Sequence, residues 1–263
     1  MADGTHVDLG QALITMVEPT RDPERLREYH RWYEHDHALA GVMVGPGAFA
    51  YRRFVATRDL KALRTPAVST VADPLATGTF IALYWILDGT VDEHYAWSFP
   101  QTRWLAEQGR MNPDREHVST SLYDFQGAAN RVGWPVPAEI ALDHPYGGLV
   151  VTWLDRAPGT TLDAVVAWAR DEWILTVLGA GERIGQALVF TPRDFPGVPD
   201  TGAGVGEKVC VAWFLHDDPR ADWPTVEAAL TAPFAGTDVA TLGFLGPFVP
   251  VVPGTETHLD QLW

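Results

Sequence analysis

The densest run of reactive side chains in the sequence is Tyr29-His30-Arg31-Trp32-Tyr33-Glu34-His35-Asp36-His37. On a regular helix, residues three, four and seven apart share a face, so His30, Tyr33, Glu34, His37 and Gly41 are predicted to form one stripe. His35 and Asp36 point elsewhere on that geometry. An imidazole titrates near neutral pH, and a phenol or carboxylate beside it can orient it or exchange a proton with it. The run therefore offers general acid/base chemistry with His37 at its centre and Tyr33, Asp36 and Glu34 as partners. A solvated polar face with a satisfied histidine is the plainer alternative, and the interleaved Trp32, Tyr33 and Leu39 weigh against it. His30, Glu34 and His37 could also face a metal, but two histidines nearly two turns apart are a strained ligand pair. No metal is expected.

Further candidates lie outside that helix. Arg52 and Arg53 are adjacent on a predicted strand, so only one can point inward, where it would neutralise a carboxylate or enolate. Arg52 is taken as the candidate. His117 precedes a predicted strand and could face a pocket mouth or solvent. Tyr51, Tyr84, Trp85 and Trp97 fall where a pocket wall would be, and with 11 Trp, 11 Phe and 7 Tyr the chain is rich in flat apolar surface. These residues, with His30, suit an apolar ring-containing ligand better than a sugar. No Gly-rich phosphate loop, Ser nucleophile elbow or Cys nucleophile is visible.

The composition narrows the class. The 263 residues carry 34 Asp and Glu against 19 Lys and Arg, a net charge of -15. A field of that sign repels phosphate backbones and anionic lipid, so neither nucleic acid nor membrane is an expected partner. One cysteine, Cys210, excludes an intrachain disulfide and any Cys-cluster metal site. No basic segment leading into an apolar stretch opens the sequence, so a cytoplasmic location is the expectation.

The elements that must position the candidates follow from periodicity. A strand is predicted at 12–18, then a helix opening at Asp22-Pro23-Glu24 and running to about Val44, where Gly45-Pro46-Gly47 ends it. Strands at 49–57 and 79–87, a helix from Asp92 to about Arg110 and a strand at 118–125 complete a β-α-β-β-α-β order. After a Pro-containing connector the order restarts: strands at 148–154, 184–191, 209–215 and 240–252, and helices at 161–178 and 223–232. Residues align as well as elements. Trp32 to His37 lies over Trp168 to Trp173, 54–59 over 189–194, and 82–88 over 211–217, which points to duplication. The fold class is therefore α+β: two tandem ferredoxin-like (βαββαβ) units, 1–132 and 133–263, packed sheet to sheet as an intrachain α/β-barrel. The first repeat carries the site and the second, with Trp173 in place of His37, has lost it. Such a chain can be a monomer or a homodimer. Long loops at about 60–78 and 192–206 are of a length often found in lids.

Trp32-Tyr33-Glu34-His35-Asp36-His37, followed by apolar residues, Gly45-Pro46-Gly47-Ala48-Phe49 and the aromatic/basic strand Tyr51-Arg52-Arg53-Phe54, resembles the EthD-like branch of the dimeric α/β-barrel superfamily. The resemblance maps the family histidine on to His37 and its preceding carboxylate on to Asp36. It implies a pocket between helices and sheet. Relatives use such a pocket for cofactor-free dehydration, decarboxylation or cyclisation of aromatic and polyketide-like molecules, for cofactor-free or flavin-assisted monooxygenation, and for haem chemistry. From these, the leading expectation is a cofactor-independent lyase, such as a dehydratase, acting on a hydrophobic small molecule. A monooxygenase (cofactor-free, flavin-assisted or haem) is the alternative, and a non-catalytic binder of a hydrophobic metabolite the third.

Overall fold

The computed structural model describes residues 7–194 and 204–263. The first half runs β1 (Leu9–Pro19), α1 (Pro23–Trp32), β2 (Ala48–Val55), α2 (Arg58–Lys61), β3 (Phe80–Leu87), α3 (Val91–Glu107) and β4 (Arg115–Asn130). The second runs β5 (Gly148–Arg156), α4 (Leu162–Trp168), α5 (Ile174–Ala180), β6 (Ile184–Pro192), β7 (Lys208–Leu215), α6 (Trp223–Thr231) and β8 (Ala240–Pro250). Local chemistry starts the helices where expected. Asp22 accepts from the N–H groups of Glu24 and Arg25 ahead of Pro23, and Thr161 caps α4 through Ala164 N–H.

The strands form one closed antiparallel ring in the order β1-β3-β2-β8-β5-β7-β6-β4, so each half contributes a four-stranded sheet. The two expected sheets do more than face each other, because their edges hydrogen-bond. β4 is 16 residues long: its first part pairs with β1 and its continuation, from Tyr123 to Asn130, pairs with β6. The opposite seam is thin, with Phe54 opposite Pro250 and Val55 opposite Val249. Closure within one chain covers the strand edge along the β4–β6 seam and leaves most of β2 unpaired at the β2–β8 seam.

Alternate residues fill the inside of the ring. Trp85 packs on Phe190 (5.5 Å between ring centroids), Trp153 meets Phe244 (5.5 Å) and donates to Tyr123 Oη at 3.1 Å. Cys210 is buried there too, and burial raises its thiol well above the usual range. The helices cover the outside. In the second half Val165, Trp168, Trp173, Ile174 and Val177 pack on Val150, Val211 and Trp213 to form a separate apolar layer. The 60–78 loop is docked on the second half: Thr65 and Leu245 exchange backbone hydrogen bonds at 3.1 and 2.7 Å, and Ser69 Oγ donates to Gly243 O at 2.8 Å. Of the 192–206 loop, residues 195–203 lie outside the described residues. Among the described residues no helix is long and apolar enough to cross a membrane.

Candidate functional site

The first helix does not continue to Val44 as a regular α-helix. Beyond Trp32 it widens into π-helical turns at Tyr33–His37 and Leu39–Met43, with Ala38 N–H donating to Tyr33 O. Each extra residue swings the downstream side chains by about 100° relative to a regular helix, and the predicted stripe divides. His30 and Glu34 stay together and face the last segment of the chain. His30 Nε2 donates to Thr255 O (2.8 Å), Arg53 Nη1 donates to His30 Nδ1 (3.2 Å), and Glu34 Oε2 accepts from Gly254 N–H (2.9 Å). With both ring nitrogens engaged this way His30 is a neutral structural group, and burial, then the Arg53 charge, lower its pKa.

His37 is carried to a different face. Its ring stacks on Trp32, five residues earlier, at 4.4 Å and 20°, and Tyr33 meets it edge-on at 5.3 Å. Gly41 lies beneath it, and a Cβ there would lie 3.2 Å from His37 Nδ1. That nitrogen is buried with no hydrogen-bond partner. Burial first, then the charges of Arg115 and His117, push the His37 pKa down to about 3, against the weaker opposing pull of Asp36; Arg53 adds to the lowering. The imidazole is neutral throughout the physiological range.

None of the three expected proton partners bonds to it. Asp36 accepts from Arg110 Nε at 3.0 Å, while Arg110 O accepts from Trp32 Nε1 at 2.7 Å, so one residue fixes both the carboxylate and the indole. Glu34 is turned to Gly254. Tyr33 Oη and Tyr84 Oη share a 2.7 Å hydrogen bond, with burial raising both phenols, and Tyr51 stacks on Tyr84 at 4.9 Å. Burial pushes the Tyr51 phenol up to about 12.

The facing wall comes from β1 and β4. The pairing shifts register between Met16 and Val17, where Val118 is the extra residue of β4. That bulge puts His117 and Thr120, three apart, on the same face. His117 Nδ1 and Thr120 Oγ1 are 2.7 Å apart, and Thr120 Oγ1 is 2.8 Å from Thr15 Oγ1. The His117 ring stands at the exposed rim, and its partly desolvated position with Arg115 beside it moves its pKa down to about 4. The Arg115 guanidinium lies 4.8 Å over the Trp32 ring.

Of the other candidates, Arg52 points away from this wall and donates to the carbonyls of Leu142, His144 and Tyr146, anchoring the connector between the halves. Its neighbour Arg53 is the inward one, 3% exposed and packed against the rings of Phe80 (3.9 Å), Tyr33 (4.2 Å) and Tyr29 (5.3 Å). Trp85 faces the ring interior and donates to Ala138 O at 3.2 Å. Trp97 packs over Gly45 beside His94, 5.6 Å away. Parity carried a signal here: Tyr51 and Arg53 share a strand face, as do Tyr84 and Ala82, so choosing Tyr51 and Tyr84 selects Arg53 and rejects Arg52 and Trp85. Arg115, Thr15 and Thr120 join the site only through the bulge.

A bound haem or flavin would need several hundred Å³. The space between helices and sheet bounded by Leu13, Val42, His94, Tyr95, Ser98 and Leu122 holds about 20 Å³. The His37 ring is covered on one face by Trp32, and its unpartnered nitrogen is turned against Gly41. That space between helices and sheet does not hold either cofactor. No group of three or more His, Cys, Asp or Glu suited to a metal occurs among the described residues. A larger hollow of about 320 Å³, lined by Glu18, Pro19, Thr20, Arg25, Pro113, Asp114, Arg115 and Glu116, opens beside Arg115.

No family model matches the sequence, and no curated protein matches it either. Solved structures do. A protein provisionally assigned as a chlorite dismutase aligns over 97% of this chain and 100% of its own at 13% identity, with a TM-score of 0.52. A DypB variant in complex with manganese aligns over 99% and 98% at 10% identity, TM-score 0.51. An anthrone oxidase-like protein aligns over 95% of each chain at 12% identity, TM-score 0.49. At such identities the likeness is one of fold: a full-length α+β chain whose tandem ferredoxin-like halves close one eight-stranded ring.

Proposed function

We propose that the chain is a cofactor-free oxygenase of flat, electron-rich aromatic molecules, with His37 as its base. The observation that carries this is the state of His37: neutral, packed against the rings of Trp32 and Tyr33 and without a hydrogen-bonded acid or carboxylate. Dehydration needs a group that can donate a proton to the departing hydroxyl near neutral pH. Around His37 the imidazoles titrate far below neutrality, the phenols above it, and Asp36 is held by Arg110. Proton abstraction needs no separate acid, but it does need His37 to gain proton affinity when substrate offsets the charges that lower its pKa. His37 takes a proton from a CH2 group made acidic by an adjoining arene and carbonyl. The carbanion transfers its electrons to O2 and forms a C–O bond, and the peroxide receives the proton from His37. Loss of the second C–H proton with O–O cleavage then gives the ketone and water. The sum is CH2 + O2 → C=O + H2O, with no external reductant.

The test uses 2-tetralone as probe, with oxygen uptake followed against diketone formation. Equimolar O2 loss and product, abolished in His37→Ala, is the expected result. Turnover of a β-hydroxy ketone without oxygen would return the dehydratase to first place. Binding of both compounds without turnover, equal in His37→Ala, would leave a binding protein.

A further inference from the structure

We infer that Arg115 is a specificity determinant: it holds an anionic substituent, a carboxylate or acidic enol(ate), of the aromatic substrate, in the hollow beside the Trp32 ring on which His37 stacks. The inference rests on the placement of the site at His37 and adds the charge of its substrate. Arg115 lines the 320 Å³ hollow. Its Nη1 donates to Asn112 O at 2.8 Å, and no carboxylate lies within ion-pair distance of it among the described residues. The acidic neighbours in the hollow are otherwise engaged. Glu18 accepts from Gly78 N–H, Thr79 N–H and Thr79 Oγ1, and Asp114 pairs with Arg25. Glu116, the next residue on β4, also lines the hollow but is exposed to solvent, where its charge is screened, and it makes no ion pair with Arg115. A half-buried guanidinium without a counter-ion is the natural seat for a planar anion, which it can meet with two parallel N–H donors.

The same face of β4 continues from Arg115 through His117 to Thr120, so a ring attached to that anion passes their polar edge beneath the Trp32–His37 stack. Occupying Arg115 also changes the base. The charged groups acting on His37 are Arg115, His117 and Arg53, which disfavour its protonation, and Asp36, which favours it. An anion on Arg115 cancels the largest of the charge effects, so His37 accepts a proton more readily when the substrate is bound than when it is absent.

The experiment compares 2-naphthoate with neutral 2-naphthalenemethanol by calorimetry on the full chain. In the wild-type protein naphthoate is expected to bind about tenfold tighter, the worth of one charge-assisted contact. Arg115→Gln should remove that preference and Arg115→Lys keep part of it. A second readout is the imidazole NMR titration of His37, whose midpoint should rise when naphthoate binds and stand higher in unliganded Arg115→Gln. Equal affinities of the wild type for the two probes, or a preference that survives Arg115→Gln, would overturn the inference. Neither readout involves oxygen, so failure of the oxygenase chemistry and failure of the Arg115 assignment are separable.

Discussion

The same turn of helix is built twice in this chain with opposite contents. In the first half the π turn lays His37 on Trp32 at 4.4 Å; in the second, the π turn Ala169–Trp173 lays Trp173 on Trp168 at 5.6 Å and 8°. Trp173 is 1% exposed, donates to Leu230 O at 3.0 Å and meets Trp213 and Phe234 edge-on, so both its apolar surface and its one N–H are satisfied. His37 has a buried nitrogen with no hydrogen-bond partner and a pKa pushed well below its ordinary value. The scaffold therefore does not explain the polar site, because the second copy shows how that backbone is filled when packing alone decides. Unrelieved cost at one copy and not the other is what a functional residue looks like.

Truncating each member puts the contrast to its most severe test. His37→Ala should lower turnover by about 10²- to 10⁴-fold, the usual worth of a general base, with folding little changed. Trp173→Ala should leave chemistry in the surviving molecules and cost about 3 to 5 kcal/mol of stability, as large aromatic truncations in cores do. Urea unfolding beside steady-state rates separates the two. A stability loss for His37→Ala as large as that for Trp173→Ala, without a rate defect, would make both turns structural.

Protonation offers the next largest effect. The folded pKa of His37, about 3, lies below its ordinary 6.5, so between those values the unfolded chain binds a proton that the folded one does not. Stability is unaffected well above pH 6.5 and falls as the pH drops through that window, approaching about 1.4 kcal/mol per unit from this one group. Between pH 6.5 and 4.5 the wild type should lose roughly 2 kcal/mol more than His37→Phe, whose ring cannot titrate. Equal losses in urea titrations at the two pH values would mean that His37 is hydrated in solution. Trp173 has no counterpart to this dependence.

A smaller effect comes from the residue under the imidazole. Gly41 stands four residues after His37 and Val177 four after Trp173, and Val177 is 3% exposed in the apolar layer. A methyl group at 41 would lie 3.2 Å from Nδ1 and 3.3 Å from Cε1, so the ring must shift by a few tenths of an ångström. Gly41→Ala is expected to lower kcat about tenfold through misplacement of the base, while its helix propensity offsets up to about 1 kcal/mol of the strain. Full activity with raised stability would show that His37 has freedom to move and that Gly41 is incidental.

Much of this asymmetry was legible in the sequence, and the limits have physical causes. The duplication, the order of elements and the exchange of histidine for tryptophan follow from aligned residues such as 32–37 over 168–173, because strand parity and chain breaks at Gly and Pro survive in any context. The division of the stripe between His30 and His37 was not legible. A π turn leaves the residue spacing untouched while rotating the faces, so His30 and Glu34, correctly grouped, end on the last segment of the chain and His37 does not join them. The bulge at Val118 hides Arg115 and Thr120 for a similar reason: one extra residue changes parity without changing composition. Arg52 and Trp85, by contrast, could have been set aside from parity alone.

The weakest expected effect distinguishes how the two copies bury a polar handle at equivalent strand positions. Tyr84 of β3 aligns with Trp213 of β7. Tyr84 shares its hydroxyl with Tyr33 at 2.7 Å, and Trp213 Nε1 donates to Thr152 Oγ1 at 3.1 Å. In the first half both partners are phenols fully enclosed by protein, so deleting one leaves the other buried and unpaired. Tyr84→Phe alone should then cost about 1 to 2 kcal/mol, and the double change Tyr33→Phe with Tyr84→Phe no more than either single change, because no orphaned hydroxyl remains. If the two single losses simply add in the double variant, the phenol pair contributes through packing rather than through its hydrogen bond. Retention of turnover in the double variant would further place Tyr33 with the scaffold that edges the His37 ring, leaving the imidazole as the only group in which the first turn departs from the logic of the second.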